Sequence, residues 1–133
     1  MAERREAPPA PLFAADRSGG AVATTRRNLE GAGLLEHVMV ERCQLSQLVR
    51  PVPTGLLACN PPYGKRLGKN DPLKDLYAEL GQVFRREFPG WRVGLVTNQR
   101  RLAQATGLDF DEPGPQMRHG GIRIRLYQAR IPE

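Results

Sequence analysis

Apolar positions along this chain fall into several short runs and one long helical stripe. Leu12-Phe13-Ala14-Ala15 stops at Asp16 and is followed by Ser18-Gly19-Gly20. A run that ends on an acid and a glycine turn predicts a buried strand feeding a helix. From Ala21 to Ala32, Val22, Thr25, Leu29 and Ala32 share one helical face, and Gly31 and Gly33 mark its end. His37-Val38-Met39-Val40 predicts a second strand, and Cys43 to Thr54, with Pro51 and Pro53, a loop. Gly55-Leu56-Leu57-Ala58-Cys59 predicts a third strand. It must stop at Asn60-Pro61-Pro62-Tyr63-Gly64, because two consecutive prolines forbid continued strand pairing.

The clearest helix signal follows. Asp71-Pro72 pairs an N-cap residue type with proline at the first helical position. Leu73, Leu76, Tyr77, Leu80, Phe84 and Phe88 then recur at helical spacing until Pro89-Gly90. Trp91 to Thr97 predicts a fourth strand, and Arg100 to Thr106 a short helix closed by Gly107. Gly121 to Gln128 alternates Ile122, Ile124 and Leu126 with Arg123, Arg125 and Tyr127, the pattern of a half-exposed strand. Strands alternating with helices predict an α/β sheet, and such sheets bind ligands at the carboxyl ends of their strands. Asp16 and Asn60 both belong on that rim.

Composition narrows the picture. The 133 residues suit one domain or part of one. Residues 1–11 are charged and proline-rich, without the apolar stretch of a secretory signal, and read as a flexible tail before a domain over 12–131. The 14 Gly and 12 Pro stay below the level of low-complexity disorder, and no apolar run approaches the roughly 18 residues of a membrane helix. Cys43 and Cys59 are not at metal-ligand spacing; both are expected as buried thiols in a reducing, cytoplasmic setting, with no metal site. A net charge of +6 favours a polyanionic partner.

The sharpest chemical signal is Asn60-Pro61-Pro62-Tyr63 directly after an apolar strand. Two prolines stiffen the corner and remove two N–H donors. Their carbonyls and the Asn60 side-chain oxygen form a compact set of acceptors. Such a set suits an exocyclic amino group, which has two N–H donors to place and a lone pair to present. Tyr63 offers a flat face on which an extruded base can stack. The plainer alternative is a rigid Pro-Pro turn with a packed tyrosine. Lys65 and Arg66 follow the corner and are the residues most suited to phosphate contact. The pairs Arg26-Arg27, Arg85-Arg86 and Arg100-Arg101, with Arg118, Arg123 and Arg125, are the remaining basic groups considered.

The stretch Asn60-Pro61-Pro62-Tyr63-Gly64-Lys65-Arg66-Leu67-Gly68 resembles the motif-four loop of amino-methylating, S-adenosylmethionine-dependent methyltransferases. The extension through Gly64, Arg66 and Leu67 is similar to the THUMP-associated RNA guanine-N2 methyltransferases of the large-subunit ribosomal RNA type, which also carry the name N6-adenine-specific DNA methylase. Phe13-Ala14-Ala15-Asp16-Arg17, Asn28-Leu29-Glu30-Gly31-Ala32-Gly33, Pro89-Gly90-Trp91 and a terminal Gly-rich hairpin ending at Leu126-Tyr127 extend the resemblance over residues 11–131.

The resemblance implies the C-terminal part of a Rossmann-like class I methyltransferase sheet, with a terminal antiparallel hairpin, lacking the first strand and its Gly-rich loop. It implies S-adenosylmethionine as cofactor and ribosomal RNA as partner, with a separate chain as one source of the missing N-terminal half. Asp16 would accept from the cofactor ribose hydroxyls. Gln44, where the family often has an acid, would meet the adenine. Asn60 and Pro61, in the corner with Pro62, would hold the target amine, Asn60 would also contribute to cofactor binding, and Tyr63 would stack on the base. No strong general base is required, and His37 and His119 are read as structural or solvated. The corner alone does not choose among guanine N2, adenine N6 and cytosine N4. A DNA adenine methyltransferase and a non-catalytic basic module that binds RNA or a partner are the alternatives.

Overall fold

The computed structural model describes residues 6–63 and 72–133. They form two compact units, dividing between Pro51 and Val52. In the first unit, strand β1 (Leu12–Asp16) leads into helix α1 (Gly19–Gly31), which returns to strand β2 (Val38–Arg42). The two strands are parallel, with Leu12 opposite Val38 and Asp16 opposite Arg42. Ser18 caps α1 by accepting from the Ala21 N–H at 3.2 Å, and its own N–H donates to Asp16 Oδ1 at 2.8 Å. One acid thus ends the strand and braces the turn into the helix. His37, expected inside the second strand, instead closes a 3₁₀ turn over Leu35–His37, so the strand starts one residue later. A second such turn, Leu45–Gln47, lies in the stretch expected as loop.

The second unit is a four-stranded sheet in the order β3-β4-β6-β5. Strand β3 (Leu56–Cys59) runs parallel to β4 (Arg92–Thr97). Strand β6 (Ile122–Arg130) is antiparallel both to β4 and to β5 (Gln116–His119). The β5–β6 turn is Gly120-Gly121, both at positive φ (57° and 80°), where only glycine is unstrained. This is the antiparallel terminal hairpin implied by the family resemblance.

Helix α2 (Pro72–Glu87) connects β3 to β4, and the short α3 (Arg100–Ala105) follows β4. The apolar stripe of α2 is buried through Tyr77, Leu80, Val83 and Phe84, while Leu73 and Leu76 at its start are half-buried. Phe84, Phe88 and Trp91 stack edge to face, with centroids 6.1 and 5.1 Å apart. Val93 and Leu95 of β4, Leu102 of α3 and Tyr127, Ala129 and Ile131 at the chain's end complete the core. The first unit, by contrast, buries one side chain among its described residues, Val22.

Among the described residues, β1 pairs on one side only, with β2, and β3 on one side only, with β4. Each therefore has an open edge of backbone donors and acceptors. Leu12 and Phe13 on β1 and Leu56 on β3 are large apolar side chains that remain 46%, 40% and 67% exposed. Strands alternating with helices, expected from the sequence, are thus present in both units as an α/β arrangement. No helix among the described residues is long and apolar enough to cross a membrane.

Candidate functional site

The Asn60 corner sits where the sheet directs it. Cys59 ends β3 opposite Leu95 of β4, so Asn60 leaves the sheet beside the carboxyl end of β4. Asn60 and Pro62 are exposed, and Pro61 and Tyr63 half-buried. The corner thus lies at the surface, at the carboxyl end of β3. It is not enclosed in the core.

A hydrogen-bonded chain beneath the corner fixes its course. The Tyr77 hydroxyl donates to the Pro62 carbonyl at 2.9 Å and lies 3.2 Å from Thr97 Oγ1. A hydroxyl has one proton, so Thr97 is the donor to Tyr77. Thr97 Oγ1 in turn lies 3.5 Å from the Gln99 N–H. Tyr77 and Thr97 are 0% and 1% exposed. The relay thus runs from the end of β4, through the face of α2, to the diproline. The Pro62 carbonyl thus already accepts one internal hydrogen bond.

The sequence reading placed Tyr77 in the apolar stripe and missed this role. The available signal was a tyrosine among leucines and phenylalanines, since a buried phenol needs a partner for its O–H. Burial raises the Tyr77 pKa, the Thr97 hydrogen bond opposes the rise, and the nearby Cys59 and Tyr63 add to it. The phenol remains a neutral donor. Tyr77→Phe keeps the ring and leaves the Pro62 carbonyl and the buried Thr97 hydroxyl short of a partner. We expect a loss of about 1–3 kcal/mol in urea unfolding, with Tyr77→Leu costing more because it also removes ring packing.

Cys59 lies under the same corner. It and Cys43 are free thiols, and both are half-buried, not fully buried as expected from the sequence, because each sits at the end of a strand. Burial pushes the Cys59 thiol up to about 12. Burial, and then the Glu41 carboxylate, also raise Cys43. An unfolded chain ionises its thiols near pH 9 while native Cys59 stays protonated. The unfolded state then binds fewer protons, so stability is intact below about pH 9 and falls as pH rises towards 12, by at most ~1.4 kcal/mol per unit for this group. Urea midpoints at pH 8 to 11 should fall for the native protein and fall less steeply for Cys59→Ala.

In the first unit, Asp16 and Gln44 share a rim. The Cys43 N–H donates to the Asp16 carbonyl at 2.9 Å, which ties the ends of β1 and β2 together. Both side chains are exposed. Asp16 Oδ1 accepts from the Ser18 N–H, and no hydrogen bond among the described residues involves its second carboxylate oxygen. Gln44 precedes the Leu45–Gln47 turn with extended backbone. Asp16 and Gln44 are therefore brought together, as are Asn60, Pro61, Pro62 and Tyr63; the two groups fall in different compact units. Lys65 and Arg66 lie outside the described residues. Several helix arginines serve local structure: Arg26 donates to the Val40 carbonyl, Arg85 to the Thr106 carbonyl at 2.6 Å, and Arg86 pairs with Glu87. Among the described residues, no group of three or more His, Cys, Asp or Glu side chains gathers as a metal site would require.

A model of the RMKL-like methyltransferase domain matches residues 1–120. The chain belongs to the RMKL-like methyltransferase domain family. It is 41% identical over 123 residues to Ribosomal RNA large subunit methyltransferase K/L of Syntrophotalea carbinolica, covering 89% of this chain and 17% of that protein. It is 39% identical over 100 residues to the protein of the same name in Marinobacter nauticus, covering 73% of this chain and 14% of that protein. The chain thus spans about a sixth of the length of these relatives. Among solved structures, SMU.472, described as a methyltransferase and determined with SAH, superposes with a TM-score of 0.80 at 27% identity, over 92% of this chain and 32% of that one. TrmN from Thermus thermophilus superposes with a TM-score of 0.73 at 23% identity, over 93% and 37%, and shares the fold.

Proposed function

We propose that this chain forms the adenosine-binding and amine-holding part of an S-adenosylmethionine-dependent methyltransferase that acts on large-subunit ribosomal RNA in the cytoplasm, with guanine N2 as the target atom. The observation that carries the reading is the Asn60-Pro61-Pro62-Tyr63 corner, exposed at a strand's carboxyl end and clamped from below by Tyr77. The name shared by the full-length relatives supports ribosomal RNA as substrate.

S-adenosylmethionine, when bound, supplies an electrophilic methyl group on a neutral sulfur leaving group. The second carboxylate oxygen of Asp16 and the amide of Gln44 fit its ribose hydroxyls and adenine amino group in chemistry and exposure. Asn60 Oδ1 and the Pro61 carbonyl would accept the two N–H bonds of the target amine. That arrangement turns the nitrogen lone pair away from the protein and towards the methyl group. Tyr63 would stack on the base. No side chain need take the proton before transfer, because positioning supplies most of the rate. As the carbon–sulfur bond breaks the sulfur would leave as a neutral thioether, and the methylated nitrogen would then release one proton to solvent. The open edges of β1 and β3 support a further strand, from the same or a second polypeptide, as part of the working enzyme.

The test is a chimera in which residues 12–131 replace the matching segment of the Syntrophotalea relative. Labelled methyl groups should enter large-subunit ribosomal RNA, and nuclease digestion should recover N2-methylguanosine. Recovery of N6-methyladenosine, or a labelled DNA substrate in place of RNA, would defeat the guanine reading. No transfer by a folded chimera that binds cofactor would defeat the enzymatic one.

A further inference from the structure

We propose that the β5–β6 hairpin and the end of β4 form a phosphate track that holds the RNA backbone beside the target nucleotide. The inference rests on the RNA reading above and assigns residues to which the amine-holding corner gives no role. A pocket of about 460 Å³ lies at the carboxyl end of β4, lined by Thr97, Asn98, Arg100, Gln116, Arg123 and Arg125 among others. A neighbouring pocket of about 380 Å³ shares Gln116 and Arg123 and adds Arg118. Among the described residues, no Asp or Glu lines either pocket.

Pairing explains how these residues gather. Arg125 lies opposite Thr97 on one side and opposite Gln116 on the other. Arg123 is two residues away on the same strand and therefore on the same face. It lies directly opposite Arg118. Like charges facing one another across an antiparallel pair are destabilising. Among the described residues no carboxylate pairs with Arg118, Arg123 or Arg125; Asp111 pairs instead with Arg92, at 2.9 Å, towards the other end of β4. Arg125 Nε is buried and has no hydrogen-bond partner among the described residues. Uncompensated guanidinium groups around a concavity are the arrangement that repeated phosphates satisfy, since each contact neutralises a charge and releases a counterion.

The track also touches the corner. Thr97 lines the larger pocket and is the residue that donates to Tyr77, which holds Pro62. Two hydrogen bonds, 3.2 and 2.9 Å, therefore separate the pocket wall from the diproline. A strand whose phosphates occupy the arginines would present its neighbouring base at Asn60. Arg118, Arg123, Arg125 and Arg100 give a path long enough for more than one phosphate, which fits a polynucleotide and not a single small anion.

The experiment is fluorescence anisotropy of the full 133-residue chain with a labelled single-stranded RNA, titrated between 50 and 200 mM salt. Arg123→Gln with Arg125→Gln should weaken binding at least about tenfold at the lower salt. It should also shrink the slope of log affinity against log salt by about 1.4, near 0.7 for each lost phosphate contact. Arg86→Gln, which removes a charge paired with Glu87 on α2, should leave both values close to native. Circular dichroism checks the fold, and single Arg123→Lys and Arg125→Lys variants, which keep the charge, should preserve the slope. An unchanged slope in the folded double variant would overturn the proposal, as would a native chain that binds no RNA at 50 mM salt. Methylation by the chimera is read separately. Transfer that persists while the double variant binds RNA normally refutes the track and spares the enzymatic reading. Salt-sensitive loss of RNA binding with no transfer from a folded chimera does the reverse.

Discussion

Asn60→Ala in the chimera described above will lower the rate of methyl transfer at saturating substrate and cofactor by about 10²–10³-fold. The size follows from the loss of one preorganised hydrogen bond aimed at the reacting group, about 2.7–4 kcal/mol in comparable sites. Asn60 lies on the exposed rim after β3, so its truncation opens no cavity and should leave the unfolding midpoint within ~0.5 kcal/mol of native. This split between rate and stability identifies a residue that acts on substrate. Asn60→Asp keeps an acceptor oxygen at the same place and should recover part of the rate. Equal activity of the alanine variant would show that the corner does not hold the amine.

Gly81→Ala will destabilise the protein by about 3 kcal/mol or more, against the usual direction for such a change. In an exposed helix interior, alanine is better than glycine by roughly 1 kcal/mol. At Gly81 a Cβ would stand 1.8 Å from the Thr106 carbonyl oxygen and 2.6 Å from its carbon. The same oxygen accepts the 2.6 Å hydrogen bond from Arg85. Glycine here allows α2 to lie directly against the backbone that ends α3. An added methyl must push that backbone away and disturb the Arg85 contact, at the upper end of overpacking costs or beyond. A thermal midpoint lower by about 10 °C is expected. Gly31→Ala supplies the contrast: it lies at the end of α1 with nothing within 4 Å of a built Cβ, and should be neutral or slightly stabilising. A stabilised Gly81→Ala protein would mean that α2 and α3 do not approach as described.

Local sequence patterns were strong enough to mark most elements. The apolar stripe of α2, the short runs that became β1, β3 and β4, and the alternation of β6 all survive in the structure with ends shifted by one or two residues. Strand β5 was different. Gln116-Met117-Arg118-His119 contains one apolar residue and no alternation, and it was expected only through a family resemblance. Its strand conformation comes from hydrogen bonding to β6, which tertiary pairing supplies and composition does not signal. His37 was read as strand because valines follow it, yet the 3₁₀ turn after Leu34 claims it first.

The candidate site divides in the same way. A diproline after an apolar run is a covalent constraint, and Asn60, Pro61, Pro62 and Tyr63 were legible for that reason. Asp16 was legible because an acid closing an apolar run is a local event. Tyr77 under the corner was not, since a phenol in an apolar stripe looks like core until its partner, fifteen residues away, is known. Nor was the arginine track: Arg100, Arg118, Arg123 and Arg125 are dispersed along the chain and meet only when β6 folds back between β4 and β5.

By itself, the sequence determined the order of strands and helices and the stiff acceptor corner that ends one of them, because periodicity and proline geometry act over neighbouring residues. Only the tertiary structure decided which carbonyl of that corner is already taken, where two helices need a glycine between them, and which arginines share a wall. Those outcomes depend on distances between residues far apart in the chain, set by packing and strand register.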